Sequence, residues 1–272
     1  MKHCLFIISL ILLVFQQAVS QPHFGPARPN VSSPIDRSAG VALNMQWFQL
    51  ADRQFSPLRY NGPGATFRIF SVADRGYLRR HMSFGASGDY LRNRLGFEAL
   101  YIQPQITGGV TFPVDGLSTD MGISYAGGNI TATSRLYRFI NEDPAHVHWT
   151  TSYSIDFHYI FDHEIDRDKK VIVVLNIPLA GAVSRTPVDR HYTFQFPGFG
   201  QHLKRIHEDI GFMTVDRMQA ANLKITYDLS RSRRRSVCIG YEADFARFTH
   251  PEPVIYFSNS IFLRINLYAL VW

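Results

Sequence analysis

The chain has little cysteine, little lysine and, after its first residues, no long apolar run. Two cysteines in 272 residues exclude a disulfide-dense scaffold. Lysine supplies only five of the 28 basic residues (Lys2, Lys169, Lys170, Lys204 and Lys224), and the other 23 are arginine. Nowhere does the chain offer the roughly 20 consecutive apolar residues that cross a bilayer as a helix. It shows no window with apolar spacing at three and four, no internal repeat, no phosphate-cradling glycine loop, no nucleotide fingerprint and no cysteine metal pattern. No cofactor is implied. Aromatic residues, by contrast, are plentiful: 13 Tyr, 21 Phe and 3 Trp. With 46% hydrophobic residues they exclude a disordered polar chain. The 19 glycines and 14 prolines are ordinary counts.

Residues 1–20 read as a secretory signal peptide. Lys2 and His3 are a short basic start, Leu5 to Phe15 is an apolar core, and Ala18-Val19-Ser20 places small residues before a cleavage point at Gln21. Cys4 leaves with the signal, so the exported chain keeps Cys238 alone and forms no internal bridge. That thiol is expected to be buried as a small apolar residue. The formal net charge is +6 and the pI about 9.4. Export argues against a nucleic-acid partner. An arginine excess fits ion pairs inside the protein or the phosphates of an anionic lipid surface, because the guanidinium fork matches carboxylate and phosphate oxygens.

Residues 21–40 are rich in Pro and Ser and aperiodic, and read as a flexible leader. From 41 to 272 the pattern is one β domain, with apolar and polar residues alternating over runs of about ten. Thr151, Tyr153, Ile155, Phe157, Tyr159 and Phe161 share one strand face; Ser152, Ser154, Asp156, His158 and Ile160 share the other. Runs at 77–87, 222–229 and 237–245 behave alike, and further strands are expected at 64–72, 96–106, 118–139, 170–184 and 255–272. A phase change near Gly127-Gly128 predicts a bulge or kink. The segment 185–221 reads as an external loop or a short helix.

Alternation fits two architectures. A soluble exported barrel turns the apolar face inward around a lipophilic ligand, whereas a membrane barrel turns it to lipid and fills the lumen with polar side chains. Four features favour the second: the absence of a spanning helix, aromatics near the ends of runs, full charges of both signs on the polar faces, and a chain that ends within a strand, IFLRINLYALVW, on Trp272. That final amphipathic strand closing on an aromatic resembles the assembly signal of Gram-negative outer-membrane β-barrel proteins. SPLRYNGPG (56–64) resembles the start of small uncharacterised barrels of that class. The resemblance implies an all-β antiparallel transmembrane barrel of roughly 8–12 strands, outer-membrane localisation, contact with outer-membrane lipid and lipopolysaccharide phosphates, and recognition of the Trp272 strand by the barrel-assembly machinery. One feature conflicts with the last strand: Tyr268, Leu270 and Trp272 share a face with Arg264 and Asn266, and a lipid-facing arginine is costly away from an interface.

The polar faces supply the candidate site. Arg79, Asp156, His158, Lys224, Asp228, Glu242 and Asp244 are expected to form a lumenal network. Asp156 and His158 lie on one face in an Asp-x-His step, which resembles half of the omptin protease site, and Glu242 and Asp244 offer a second acidic pair with Glu first. His81 and Ser83 resemble the nucleophile step of the lipid A deacylase barrels. His146, His148, His163 and Glu164 have metal-ligand chemistry, but no third converging ligand is fixed and no metal is assigned. Arg231, Arg233, Arg234 and Arg235 lie between two strands, in a solvated turn or against headgroup phosphates. The first functional reading is a small non-enzymatic barrel with a polar, largely side-chain-filled lumen, acting in envelope structure, surface binding or restricted solute passage. The second is a barrel hydrolase using Asp156-His158 or His81-Ser83. It also remains open whether residues 21–60 fold back as a plug.

Overall fold

The computed structural model describes residues 36–54, 56–118, 122–140, 147–166, 169–186, 210–231, 235–249 and 252–269. The signal sequence, residues 21–35, His146, Arg233, Arg234 and Trp272 lie outside them. The strands run β1 Asp36–Asp52, β2 Arg59–Asp74, β3 Arg79–Arg92, β4 Glu98–Pro113, β5 Ile123–Phe139, β6 His148–Asp166, β7 Lys169–Arg185, β8 Gly211–Thr214, β9 Met218–Arg231, β10 Arg235–Phe248 and β11 Val254–Ala269, with one 3-10 turn at Asp115–Leu117. β1 therefore begins five residues inside the expected leader. Residues 36–52 form wall, and β2 begins at Arg59, so this part of 21–60 is not a plug.

Except for β8 and β9, each strand pairs antiparallel with its sequence neighbour, and β1 also pairs with β11 from Arg37↔Ala269 to Asp52↔Val254. β6 pairs with β7. β8 and β9 both pair with β7, at Ala180–Val183 and Val171–Asn176 respectively, so together they fill one wall position. The result is a closed ten-stranded barrel. The stretch 185–221 thus contributes strand rather than helix where it is described. Of the connections at the end holding the termini, 75–78, 167–168 and 232–234 are brief, Gly76 taking φ 79° in the first, whereas 114–122 is nine residues long. The link from β7 to β8, Thr186 to Ile210, leaves from the opposite end.

Alternation decides the two faces. On β1, Val41, Leu43, Met45 and Trp47 point outward, Met45 76% exposed, while Asn44, Phe48 and Leu50 are buried within. The outer surface is an apolar belt that includes Ile69, Phe84, Ile106, Ile130, Ile155, Ile225, Ile239, Leu263 and Ile265. The soluble reading required Tyr153, Ile155 and Phe157 to point inward. They share the outer face, and Ile155 is 60% exposed, which overturns that reading. Arg264, Asn266 and Tyr268 line the interior and Ile261, Leu263, Ile265 and Leu267 face outward, so the last strand carries no lipid-facing arginine.

Three irregularities fall where the backbone lacks a donor. Pro63 coincides with a gap in the β2–β3 ladder and Pro104 with one in β4–β5. At Pro178 the β6–β7 register shifts, leaving Leu179 as an extra residue beside Asp156. A second shift leaves Leu229 as the extra residue opposite Val237 and Cys238. The bulge expected at Gly127-Gly128 is absent: β5 pairs there in unbroken register with β4 and β6. The apparent phase change arises because the inward face carries Tyr125 and Tyr137 while polar Ser134 faces outward, which blurs the pattern without breaking it.

Candidate functional site

The interior has two unlike parts. At the end away from the termini it is packed with apolar and aromatic side chains: Phe48, Leu50, Tyr60, Leu91, Tyr101, Tyr137, Phe139, Met213, Met218, Phe248, Val254 and Tyr256. Phe48 stacks on Tyr101 with centroids 4.1 Å apart, and both lie within 6.3 Å of Tyr256, which meets Phe248 edge-on at 6.2 Å. Arg135 presses its guanidinium beneath the layer, 5.1 Å from the Tyr256 ring. Beyond the layer Arg185, at the end of β7, reaches across to Asp52, at the end of β1, at 3.2 Å with both side chains almost wholly buried. The Tyr137 hydroxyl donates to the same carboxylate. Aromatics near the ends of runs were read as an outer girdle, with no particular rings assigned to it. Trp47, Phe67, Tyr90 and Phe112 do face outward, but many rings turn inward and close the lumen.

Below this layer lies a cavity of about 350 Å³ that extends to the terminus end. Its rim is crossed by charge. Arg79 on β3 donates to Asp74 on β2 at 2.8 Å and to Asp162 on β6 at 3.4 Å. Lys170 on β7 donates to the same Asp162 at 2.7 Å. Tyr125 supports the Arg79 guanidinium at 4.1 Å. Deeper, Arg68 on β2 grips Glu242 on β10 through two nitrogens, at 3.1 and 3.3 Å. Asn44 and Asn222 donate to the same carboxylate at 3.2 and 2.9 Å. The amides continue as a chain across the floor, Asn129 donating to Asn176 at 3.0 Å and Asn176 to Asn222 at 3.3 Å. Buried polar groups cost free energy unless partnered, and this chain partners them from β5 to β10.

The residues singled out from the sequence all face this cavity: Arg79, His81, Ser83, Asp156, His158, Lys224, Asp228, Glu242 and Asp244. Their partners differ from those expected. Asp156 and His158 share a face but no hydrogen bond. The Asp156 carboxylate accepts from Thr131 at 2.5 Å, and the His158 ring bonds to the Asn176 side-chain oxygen. His81 stacks near His158, centroids 4.5 Å apart, and is not bonded to Ser83. Neither pair is therefore a base aligned on a nucleophile or an acid aligned on a base. Glu242 is held by Arg68 and is not a free member of an acidic pair. Lys224 and Asp156 do not join Arg79 in one network; the charges form separate groups.

Cys238 is buried, 1% exposed, but it is not an apolar filler. Its thiol donates to Asp228 at 2.8 Å, and Asn266 donates to its sulfur at 3.3 Å. His148 and His163 lie near opposite ends of β6, and among the described residues no cluster of His, Cys, Asp and Glu is arranged for a metal. Arg235 starts β10 at the terminus end and Arg231 ends β9 beside it.

Sequence reasoning missed Arg68, Arg264, the aromatic layer and the Asp52–Arg185 pair. For Arg68 a signal existed: in Thr66-Phe67-Arg68-Ile69-Phe70 the arginine alternates with Phe67 and Ile69, both exposed on the lipid side. Nothing in the local pattern distinguished a ring that points inward near a strand end from one that points outward.

No family model matches the chain, and no curated protein matches it. Solved structures do. The outer membrane protease OmpT from Escherichia coli aligns with TM-score 0.50 and 5% identity, covering 88% of this chain and 100% of that one. The translocator domain of the autotransporter NalP from Neisseria meningitidis aligns with TM-score 0.44 and 9% identity, covering 96% and 94%. A Pseudomonas aeruginosa FadL homologue aligns with TM-score 0.36 and 10% identity, covering 85% and 90%. At such identities the likeness is one of fold: a closed barrel of the outer-membrane type, whose apolar belt suits the interior of that membrane.

Proposed function

We propose that this outer-membrane barrel is non-conducting and that its lumen serves as a binding cavity reached from the periplasm. The observation that carries the reading is the asymmetry of the interior: an apolar layer and a buried ion pair close one end, and a charge-lined cavity extends to the other. Outer-membrane barrels keep their short turns on the periplasmic side and their longer loops outside. The three brief connections at the terminus end, 75–78, 167–168 and 232–234, against the Thr186–Ile210 link opposite, support that orientation. A solute moving through would have to displace Phe48, Tyr101 and Tyr256 together. Hydrolysis is supported less, because neither Asp156-His158 nor His81-Ser83 forms a hydrogen-bonded pair.

Conductance tests this reading. Protein purified in detergent, shown to be folded by faster migration of the unboiled sample on a gel, is added to planar lipid bilayers. Insertion without steady single-channel conductance is expected. A stable open channel from the unaltered protein would overturn the closed-cavity reading.

A further inference from the structure

Lys224 and Arg264 stand apart from the other lumenal charges. Arg79 is matched by Asp74 and Asp162, Lys170 by Asp162, and Arg68 by Glu242, while Arg135, beneath the aromatic layer, makes no ion pair among the described residues and donates to Ser152 at 3.3 Å. Lys224 lies directly opposite Glu242 in the β9–β10 register, yet both carboxylate oxygens of Glu242 are taken by Arg68, Asn44 and Asn222. The Lys224 ammonium rests instead over the Phe262 ring, 4.4 Å from its centroid. Arg264, two residues along β11 from Phe262, lies over Phe70 at 4.0 Å and spends only its Nε, on Asn266 at 2.6 Å. Asp228, the carboxylate nearest on β9, holds the Cys238 thiol, and Asp244 lies two residues from Glu242 on the same face of β10.

Both rings depend on glycine. A Cβ on Gly240 would stand 2.2 Å from the Phe262 ring, and one on Gly40 would stand 2.5 Å from the Phe70 ring. The two glycines let the rings lie against the wall, and each ring then carries a cation facing the cavity. A cation over a ring gains less than a fully hydrogen-bonded ion partner supplies to a desolvated charge. The donors left over are the Lys224 ammonium and the two terminal nitrogens of Arg264. Both residues line the cavity. In the ladder Lys224 stands level with Glu242 and Ser260, four residues or about 13 Å along β11 from Arg264, and its ammonium leans over Phe262 toward Arg264, so that both heads face one stretch of the cavity.

We propose that the cavity binds a small oxyanion, a phosphate or a carboxylate, held by Lys224 and Arg264. The proposal rests on the reading of the lumen as a cavity closed at the loop end. The guanidinium fork and the ammonium supply complementary charge-assisted hydrogen bonds to either oxyanion. The Asp74–Arg79–Asp162–Lys170 rim lies on its path.

Equilibrium dialysis of the folded full chain in detergent against radiolabelled inorganic phosphate, and separately against radiolabelled succinate, tests it. Saturable uptake of at least one probe at about one per barrel is expected, and the probe that binds identifies the chemistry. Lys224→Met and Arg264→Met should each weaken that uptake at least roughly tenfold, whereas Arg37→Met, on the outer face, should leave it unchanged. Should a methionine variant fail the gel test of folding, Lys224→Gln or Arg264→Gln, which keep a polar head, replaces it. No saturable uptake of either probe by the folded wild-type chain overturns the proposal, as does equal uptake by the folded variants. Conductance is read separately. A silent barrel that takes up nothing defeats the anion site alone; a conducting one defeats the closed cavity on which it rests.

Discussion

Asp52 and Arg185 show what a single buried pair does in this barrel. They come from the ends of β1 and β7, strands far apart around the wall, and their side chains are 0% and 3% exposed. Breaking such a pair by removing one partner typically costs about 3–5 kcal/mol, because the remaining charge is stranded, whereas replacing both with apolar groups is often neutral. Asp52→Ala and Arg185→Met are therefore each expected to lower the urea concentration at which the gel-shifted folded form is lost. The double variant Asp52→Leu/Arg185→Met should recover most of that loss. Additive losses in the double variant would mean that the two charges do not act as a unit. At this scale the sequence is informative about direction and silent about partner. Asp156 and His158 could be placed on one face from the period of two. That Thr131 takes the first and Asn176 the second depends on strands β5 and β7, brought alongside β6 in a register that no local pattern encodes.

The strands themselves were mostly legible, because an apolar face toward lipid and a polar face toward the lumen impose alternation along every one of them. Alternation fails to reveal where a strand stops being wall. The aperiodic 185–221 stretch concealed β8, only four residues long, and β1 began within a segment read as a leader because Asp36, Arg37 and Ser38 carry no apolar face. Prolines misled less than glycines: Pro63, Pro104 and Pro178 mark real gaps or shifts, while Pro113 at the end of β4 and Gly127-Gly128 pair without one. The β11 assignment is the most exposed to test, since Arg264 and Leu263 must point opposite ways. Leu263 pairs with Leu43 midway along β1, so Leu263→Arg would put a cation on the lipid face. At the bilayer midplane that costs about 2–4 kcal/mol. Reduced folding into lipid vesicles is expected for Leu263→Arg, scored by the fraction that shifts on unboiled gels. Full folding of this variant would show that Leu263 is not lipid-facing.

At the scale of the whole molecule, a ten-stranded barrel could have been a channel, a plugged pore or a solid cylinder, since strand number constrains the lumen without deciding its contents. The side chains support the proposed closed cavity. Charge and amide groups line the terminus end around a cavity, and aromatic rings turn inward at the other end. If that layer is the seal, thinning it should open the barrel without dissolving the wall, because backbone pairing between strands does not depend on ring volume. Phe48→Ala, Tyr101→Ala and Tyr256→Ala together remove three rings that meet within 6.3 Å of one another. Each large-to-small change in a packed interior costs about 3–5 kcal/mol, so the triple variant should be less stable than the wild type while still showing the unboiled gel shift in lipid vesicles. In planar bilayers it should pass measurable current where the wild type is silent. A folded triple variant that stays silent would place the seal beyond the aromatic layer, at the Asp52–Arg185 pair, and adding Arg185→Ala to the same background would then be the change that opens it.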